Sequence, residues 1–154
     1  MTSQVLIPQQ STAVTAWVRL LRASASLRRA LNAELGQEHG LAVNDFEALL
    51  QLSQAPEQAM RRIDLADALG LSASGVTRLL DGLQRTGLVE NRTCDSDGRV
   101  IYAVLTEAGR SKLGEASCSH VRAVRALFEE RYAPDELETL ATLLERLPGA
   151  QTQE

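Results

Sequence analysis

The chain has 154 residues, an ordinary 44% of hydrophobic side chains but only 3% aromatic, and 20 acidic against 16 basic residues for a formal net charge of −4. That length builds one compact domain without disulfides or metal, no stretch reaches the ~18 consecutive apolar residues of a membrane span, and two cysteines are too few for a secreted disulfide framework. The first ten residues, MTSQVLIPQQ, lack a basic segment followed by an apolar one, so a cytoplasmic chain with no membrane partner is expected.

With few rings available, the core must be filled by Leu, Ala and Val, which favours helix. From Ser11 to about Gly36, Val14, Trp17, Val18, Leu21 and Ala25 follow the i, i+3, i+4, i+7 period, and Leu20, Leu27, Leu31 and Leu35 form a second apolar face. A helix apolar on two sides packs on two sides, one of them open to a partner subunit. His39-Gly40 ends this helix; Asn44 or Asp45 opens another through about Ser53 with Phe46, Leu49, Leu50 and Leu52 inward, and Ala55-Pro56 forces a loop.

The segment RRIDLADALGLSASGVTRLLDGLQRTGLVENRT reads as two short helices, roughly residues 62–69 and 73–86, joined at Gly70-Leu71. Ala66 is small where the helices would cross, Gly70 can take the left-handed turn conformation, and Val76 fills the space between them. Ser72 is placed to cap the second helix, and Asp64 and Asp67 put negative charge in the first. Two strand-like runs follow, 88–93 and 100–105, separated by CDSDGR with a turn at Asp97-Gly98. Such a hairpin behind a helix-turn-helix is a wing. Thr106 can cap a long helix from Glu107 to about Tyr132, and Pro134 starts a last one with the stripe Leu137, Leu140, Leu144, Leu147.

The expected fold is therefore mainly α with a small β-hairpin wing, a winged helix-turn-helix of about six helices in one domain spanning residues 1–154. Net acidity runs against nucleic-acid binding, but all basic residues except Lys112 are arginine, suited to forked contacts with phosphates and base edges. Glu129, Glu130, Asp135, Glu136, Glu138 and Glu145 place much of the acidity in the last third. No paired carboxylates in an apolar setting, Gly-rich phosphate loop or nucleophile motif supports an enzyme. His39 and His120 lack ligands at metal spacing, so neither metal nor cofactor is expected.

This order of elements resembles the MarR family of bacterial regulators, named for multiple antibiotic resistance. The resemblance runs from about Ala16 to Leu147 and rests on LADALGLSASGVTRLLDGLQRTGLVE and on DGRVIYAVLTEAG, where Asp97, Arg99, Leu105, Thr106 and Gly109 occupy characteristic positions. It implies a homodimer whose first and last helices intertwine (residues 11–36 and 107–147), a DNA-binding lobe over 43–106, double-stranded operator DNA as partner, and a ligand pocket between the two parts. Gly82 and Gly98 stand where many members carry Arg, and Ala73 where a larger polar residue is common, so the DNA face is expected to be poor in phosphate contacts.

On a recognition helix, Ser72, Ser74, Thr77 and Arg78 would face the major groove, with Arg78 reading a guanine edge. Gly75 has no evident packing reason to sit inside a helix, and a close approach to DNA would explain it. Arg92 and Arg99 flank the wing; the resemblance implies a wing arginine in the minor groove, and the alternative is that Arg99 pairs with Asp97 or Asp95 to stiffen the hairpin. Trp17 reads first as a core tryptophan. A branch of the family that responds to urate and related anions instead suggests an effector pocket of Trp17, Asp64 and Arg92 for a small aromatic or anionic molecule. Cys94 is expected to be exposed at the wing turn and Cys118 packed, leaving thiol-based redox sensing as one alternative. A winged-helix module that binds protein is the other.

Overall fold

The computed structural model describes residues 11–150, so the first ten, read above for a leader, lie outside the described residues. Six α-helices carry a three-stranded antiparallel sheet: α1 (Thr12–His39), α2 (Val43–Gln54), β1 (Ala59–Arg61), α3 (Arg62–Leu69), α4 (Ala73–Arg85), β2 (Val89–Thr93), β3 (Ile101–Leu105), α5 (Glu107–Glu129) and α6 (Pro134–Glu145). The fold is the expected winged helix-turn-helix, with one strand more than expected. The sheet order is β1-β3-β2. Strand β1 pairs along β3 through Ala59–Val104, Met60–Ala103 and Arg61–Tyr102, a tertiary pairing that a three-residue segment does not announce in its own alternation. No described helix is long and apolar enough to cross a membrane.

The core sits in the helix-turn-helix lobe. Leu35 of α1, Leu49 and Leu52 of α2, Leu65 of α3, Leu80 of α4 and Val89 of β2 are its largest fully buried side chains. On α2, Ala48 is buried and Leu50 only half-buried, because the inward stripe passes through Ala48 and leaves Leu50 on its flank. Where α1 and α2 meet α5, His39 Nε2 lies 2.6 Å from Ser119 Oγ and the His120 ring packs against Phe46, tilted by 44° with centroids 4.4 Å apart. Neither histidine belongs to a metal-holding group among the described residues.

The helix-turn-helix forms for the local reasons its sequence carries. Gly70 adopts φ 62°, and the backbone N–H groups of Gly70 and Leu71 return to the carbonyls of Asp67 and Ala66 at 3.1 and 2.9 Å, closing α3 in a left-handed cap. Ala66 and Val76 are buried at the crossing. The Ser72 hydroxyl accepts the Gly75 N–H at 3.1 Å and caps α4.

Most of α1 and all of α6 lie outside this core. Helix α1, about 42 Å long at 1.5 Å per residue, buries only Leu35; Leu27 and Leu31 are half-covered, while Val14, Leu20 and Leu21 are exposed. Trp17 is 58% exposed, which corrects its reading as a core tryptophan: its stripe faces away from the lobe. Helix α6 fully buries no residue; Leu137, Leu140 and Leu144 of its stripe are half-buried. The cysteines are also reversed, Cys118 exposed and Cys94 half-buried, because Cys118 falls on the outer side of α5, opposite the buried Ala116 and Ser119.

The wing is fastened at one junction. The Leu88 carbonyl accepts the Thr106 N–H at 3.2 Å, the Thr106 hydroxyl donates to the Gly87 carbonyl at 2.6 Å, and the same oxygen accepts the Gly109 N–H at 3.0 Å to cap α5. A Cβ on Gly109 would stand 2.1 Å from the Leu88 oxygen, so backbone meets backbone with no flexible group to yield. Gly114, one turn on, has open space at the same test. Gly109→Ala is therefore expected to lower the unfolding free energy by about 1–3 kcal/mol, while Gly114→Ala leaves it unchanged or raises it by up to ~1 kcal/mol. Equal urea midpoints for the two variants would show that α5 does not approach Leu88 this closely.

Candidate nucleic-acid interface

Helix α4 buries Val76, Leu80 and Leu83 and turns its other side outward. At 3.6 residues per turn, Ser74, Arg78, Asp81 and Arg85 fall on one outer stripe, and all four are exposed. Ser72 shares its capping hydroxyl with that of Ser74 at 3.2 Å, and the Thr77 hydroxyl donates to the Ala73 carbonyl at 2.9 Å. Arg78 makes no hydrogen bond or ion pair among the described residues, so its five donors are available. Arg78, Asp81, Gln84 and Arg85 line an open depression of about 710 Å³. The Gln84 carbonyl accepts from the Asn91 amide of β2 at 3.0 Å, joining this helix to the wing.

Gly75 has a local packing reason after all: a Cβ there would lie 3.1 Å from Ser72 Oγ, crowding the hydroxyl that caps the helix. Gly82 leaves an empty flank on the same helix, with nothing within 4 Å of an added Cβ.

The wing loop is longer than a two-residue hairpin. The Cys94 N–H donates to the Val100 carbonyl and the Val100 N–H to the Asp97 carbonyl, both at 3.0 Å, with Gly98 and Arg99 as the central pair of that inner turn. Asp97 accepts the Arg99 backbone N–H at 3.0 Å, the side-chain-to-backbone bond that favours Asp at the start of such turns. The carboxylate therefore shapes the loop through the Arg99 backbone. The Arg99 guanidinium has no ion pair among the described residues, so the expected alternative of pairing with Asp97 or Asp95 is not the arrangement present. Cys94 Sγ lies 3.1 Å from Ser96 Oγ; this hydroxyl and the N–H groups of Ser96 and Asp97 stabilise a thiolate and hold the thiol below its ordinary range, against the opposing charge of Asp95.

Of the three residues suggested for an effector pocket, the structure links two. Arg61 grips Asp64 with two hydrogen bonds, Nε to Oδ2 at 2.6 Å and Nη2 to Oδ1 at 2.8 Å, and the guanidinium holds the Asp64 carboxyl below its ordinary range. Arg61 stands opposite Tyr102 in one strand pairing and Arg92 opposite Tyr102 in the other, and directly paired residues share a sheet face. Arg92 in turn reaches Glu57 at 3.5 Å. The result is a row Asp64, Arg61, Tyr102, Arg92, Glu57 across the sheet. Trp17 makes no hydrogen bond to this row among the described residues.

Glu57 and Gln58 both take left-handed backbone, φ 53° and 56°, an arrangement that costs a non-glycine residue ~1–3 kcal/mol. Gln58 receives Arg110 of α5 at 2.5 Å, so the strained turn bridges the wing strand and α5. Arg61, Tyr102, Asp81 and Arg85 were not singled out from the sequence. Only the last two carried a signal there, at three and seven residues from Arg78.

The Cys94 environment is testable without DNA. The pH profile of its alkylation by iodoacetamide, followed by peptide mass analysis, is expected to have a midpoint below that of a free thiol, and Ser96→Ala should move it upward. An unmoved midpoint would remove the hydroxyl as the cause.

Residues 39–100 match the family model described as the MarR family. Over 112 residues the chain is 31% identical to the HTH-type transcriptional repressor YetL of Bacillus subtilis (strain 168), a match that covers 70% of this chain but 66% of the repressor, slightly under two thirds of its length. Among solved structures, AbsC, a MarR family transcriptional regulator from Streptomyces coelicolor, is 32% identical with a TM-score of 0.76, over 93% of this chain and 94% of that one. Sco3205, another MarR family regulator from Streptomyces coelicolor, was solved in complex with DNA; it is 26% identical with a TM-score of 0.80, over 90% of this chain and 88% of that one.

Proposed function

Since the chain belongs to the MarR family of transcriptional regulators, we propose that it is a sequence-specific DNA-binding repressor that occupies a pseudo-palindromic operator as a homodimer and is released by a small effector. The observation that carries this reading is the outer stripe of α4, whose N-terminal turn is capped by Ser72 and on which Arg78 stands exposed and, among the described residues, unpaired. Ser72, Ser74, Gly75, Thr77 and Arg78 enter the major groove, Arg78 forks onto a guanine, and Arg99, with Arg92 further up the wing, serves the minor groove or its phosphates. The DNA-bound Sco3205 structure and the repressor YetL favour the same reading.

The dimer is built from residues 11–36 and 107–147, with the lobe of residues 43–106 carried by them. Supporting this, Val14, Trp17 and Leu21 on α1, Val121 on α5 and Leu143 on α6 are all exposed in the single chain, on the helices to which the dimer is assigned. A two-fold dimer places its recognition helices one turn of DNA apart, about 34–36 Å. The effector is a small aromatic or anionic molecule taken at Trp17, Asp64 and Arg92. Arg61 and Arg92 on either side of Tyr102 suit an anion, which would compete with Asp64 and Glu57 for the guanidiniums. A coupling of ~1–3 kcal/mol between effector and DNA is enough to release the operator.

Fluorescence anisotropy with the chain's own upstream DNA, across a salt series and beside a scrambled duplex, tests the first part. Tight, selective binding that weakens with salt is expected, with Arg78→Ala losing ~1–3 kcal/mol on the operator and little on the scrambled duplex. Equal, feeble binding to both would favour the protein-binding alternative. For the dimer, a chain ending at Ala133 is expected to sediment as a monomer or aggregate; a soluble dimer would place the interface elsewhere.

A further inference from the structure

We propose that Asp81 is a base-reading residue that selects a cytosine near the guanine read by Arg78. The assignment rests on the DNA-binding reading above and deepens it. Asp81 stands mid-stripe between Arg78 and Arg85, exposed, and among the described residues its carboxylate has no hydrogen bond or ion pair. Arg85, four residues on and well placed to neutralise it, instead sends its Nε to the Asp81 backbone carbonyl at 3.3 Å. A bare carboxylate thus occupies the part of α4 that turns toward DNA.

A polyanion repels such a group, so it is tolerated there only where it gains a hydrogen bond in return. An ionised carboxylate is acceptor-only, and the major groove offers it amino donors at cytosine N4 and adenine N6. Adenine N6 sits beside N7, an acceptor that repels the carboxylate, whereas cytosine N4 has a carbon-bound hydrogen on that side. Cytosine is therefore the better fit. Asp81 lies one turn after Arg78 on the same outer stripe, about 4.5 Å along the helix axis, near enough for the two side chains to reach base pairs in the same stretch of groove. Within the depression lined by Arg78, Asp81, Gln84 and Arg85, the arginines only donate. The Gln84 carbonyl is engaged by Asn91, which leaves Asp81 as the free side-chain acceptor among the lining groups.

The test is recovery of bound sites from a pool of randomised duplexes, sequenced for wild type, Arg78→Ala, Asp81→Ala and Asp81→Asn. Wild-type half-sites are expected to carry a cytosine at a fixed step from the guanine whose preference Arg78→Ala loses. Asp81→Ala keeps the guanine, loses at least about five-fold of discrimination at the cytosine, and binds scrambled duplex more tightly because one negative charge is gone. Asp81→Asn shifts the preference at that position to adenine, whose N6 and N7 an amide reads together, a change that a purely structural role would not produce. Wild-type sites without that cytosine, or variants that recover the wild-type motif at every position, overturn the assignment while DNA binding stands. A wild-type pool with no enrichment overturns both readings.

Discussion

The Leu88 carbonyl is where the molecule's working parts meet. The Leu88 N–H closes the exit from α4 on the Leu83 carbonyl, while the Leu88 carbonyl accepts the Thr106 N–H at the end of β3 and lies against Gly109 in the first turn of α5. Thr106 adds two more bonds there, one to Gly87 and one to Gly109. The threonine and glycine of the LTEAG run are thus explained by packing: a hydroxyl must both donate backward and accept forward, and only a residue without Cβ lets the helix start so near another backbone. The exit of α4 and the start of α5 are tied by one main-chain bond and by the two bonds of the Thr106 hydroxyl.

Legibility in the sequence followed distance along the chain. The helix-turn-helix could be read because its determinants, Ala66, Gly70, Ser72 and Val76, lie within a few residues of what they touch. Strand β1 could not, since its pairing with β3 is non-local and its three residues carry no period of their own. The same limit hid the row from Asp64 to Glu57: Asp64 and Arg92 were candidates, but Arg61 and Tyr102 join them only through sheet register. Trp17 and Cys118 were misplaced for a different reason. Periodicity finds an apolar face without saying whether the same chain covers it, and along the first half of α1 it does not.

Acidity, the main objection to a DNA-binding reading, is partly a matter of position. The acidic residues Glu129, Glu130, Asp135, Glu136 and Glu138 lie at the end of α5 and on α6, away from α4 and the wing loop. Near the α4 stripe the balance is still modest, two arginines against one aspartate, and Gly82 and Gly98 contribute nothing. Phosphate contacts set a sequence-independent background, so a face with few of them has a low background against which base contacts stand out. On the DNA-binding reading proposed above, the departures from the family pattern would lower total affinity without lowering the ratio of specific to non-specific binding.

The same economy of contacts bears on release. A face that holds DNA by many phosphates must break many bonds at once, whereas one that relies on two or three aligned side chains is sensitive to the angle at which α4 is presented. That angle is fixed at the Leu88 junction to α5, and α5 is braced again by Arg110 against Gln58 in the strained turn beside β1. Glu57 of that turn holds Arg92 in the outer-face row. On the effector reading proposed above, a group that draws Arg92 away from Glu57 would act on a left-handed turn whose Gln58 also receives Arg110 of α5. On that reading, the contacts that lead from the sheet's outer face toward α5 are Arg92 on Glu57 and Arg110 on Gln58, both guanidinium contacts for which an anion would compete.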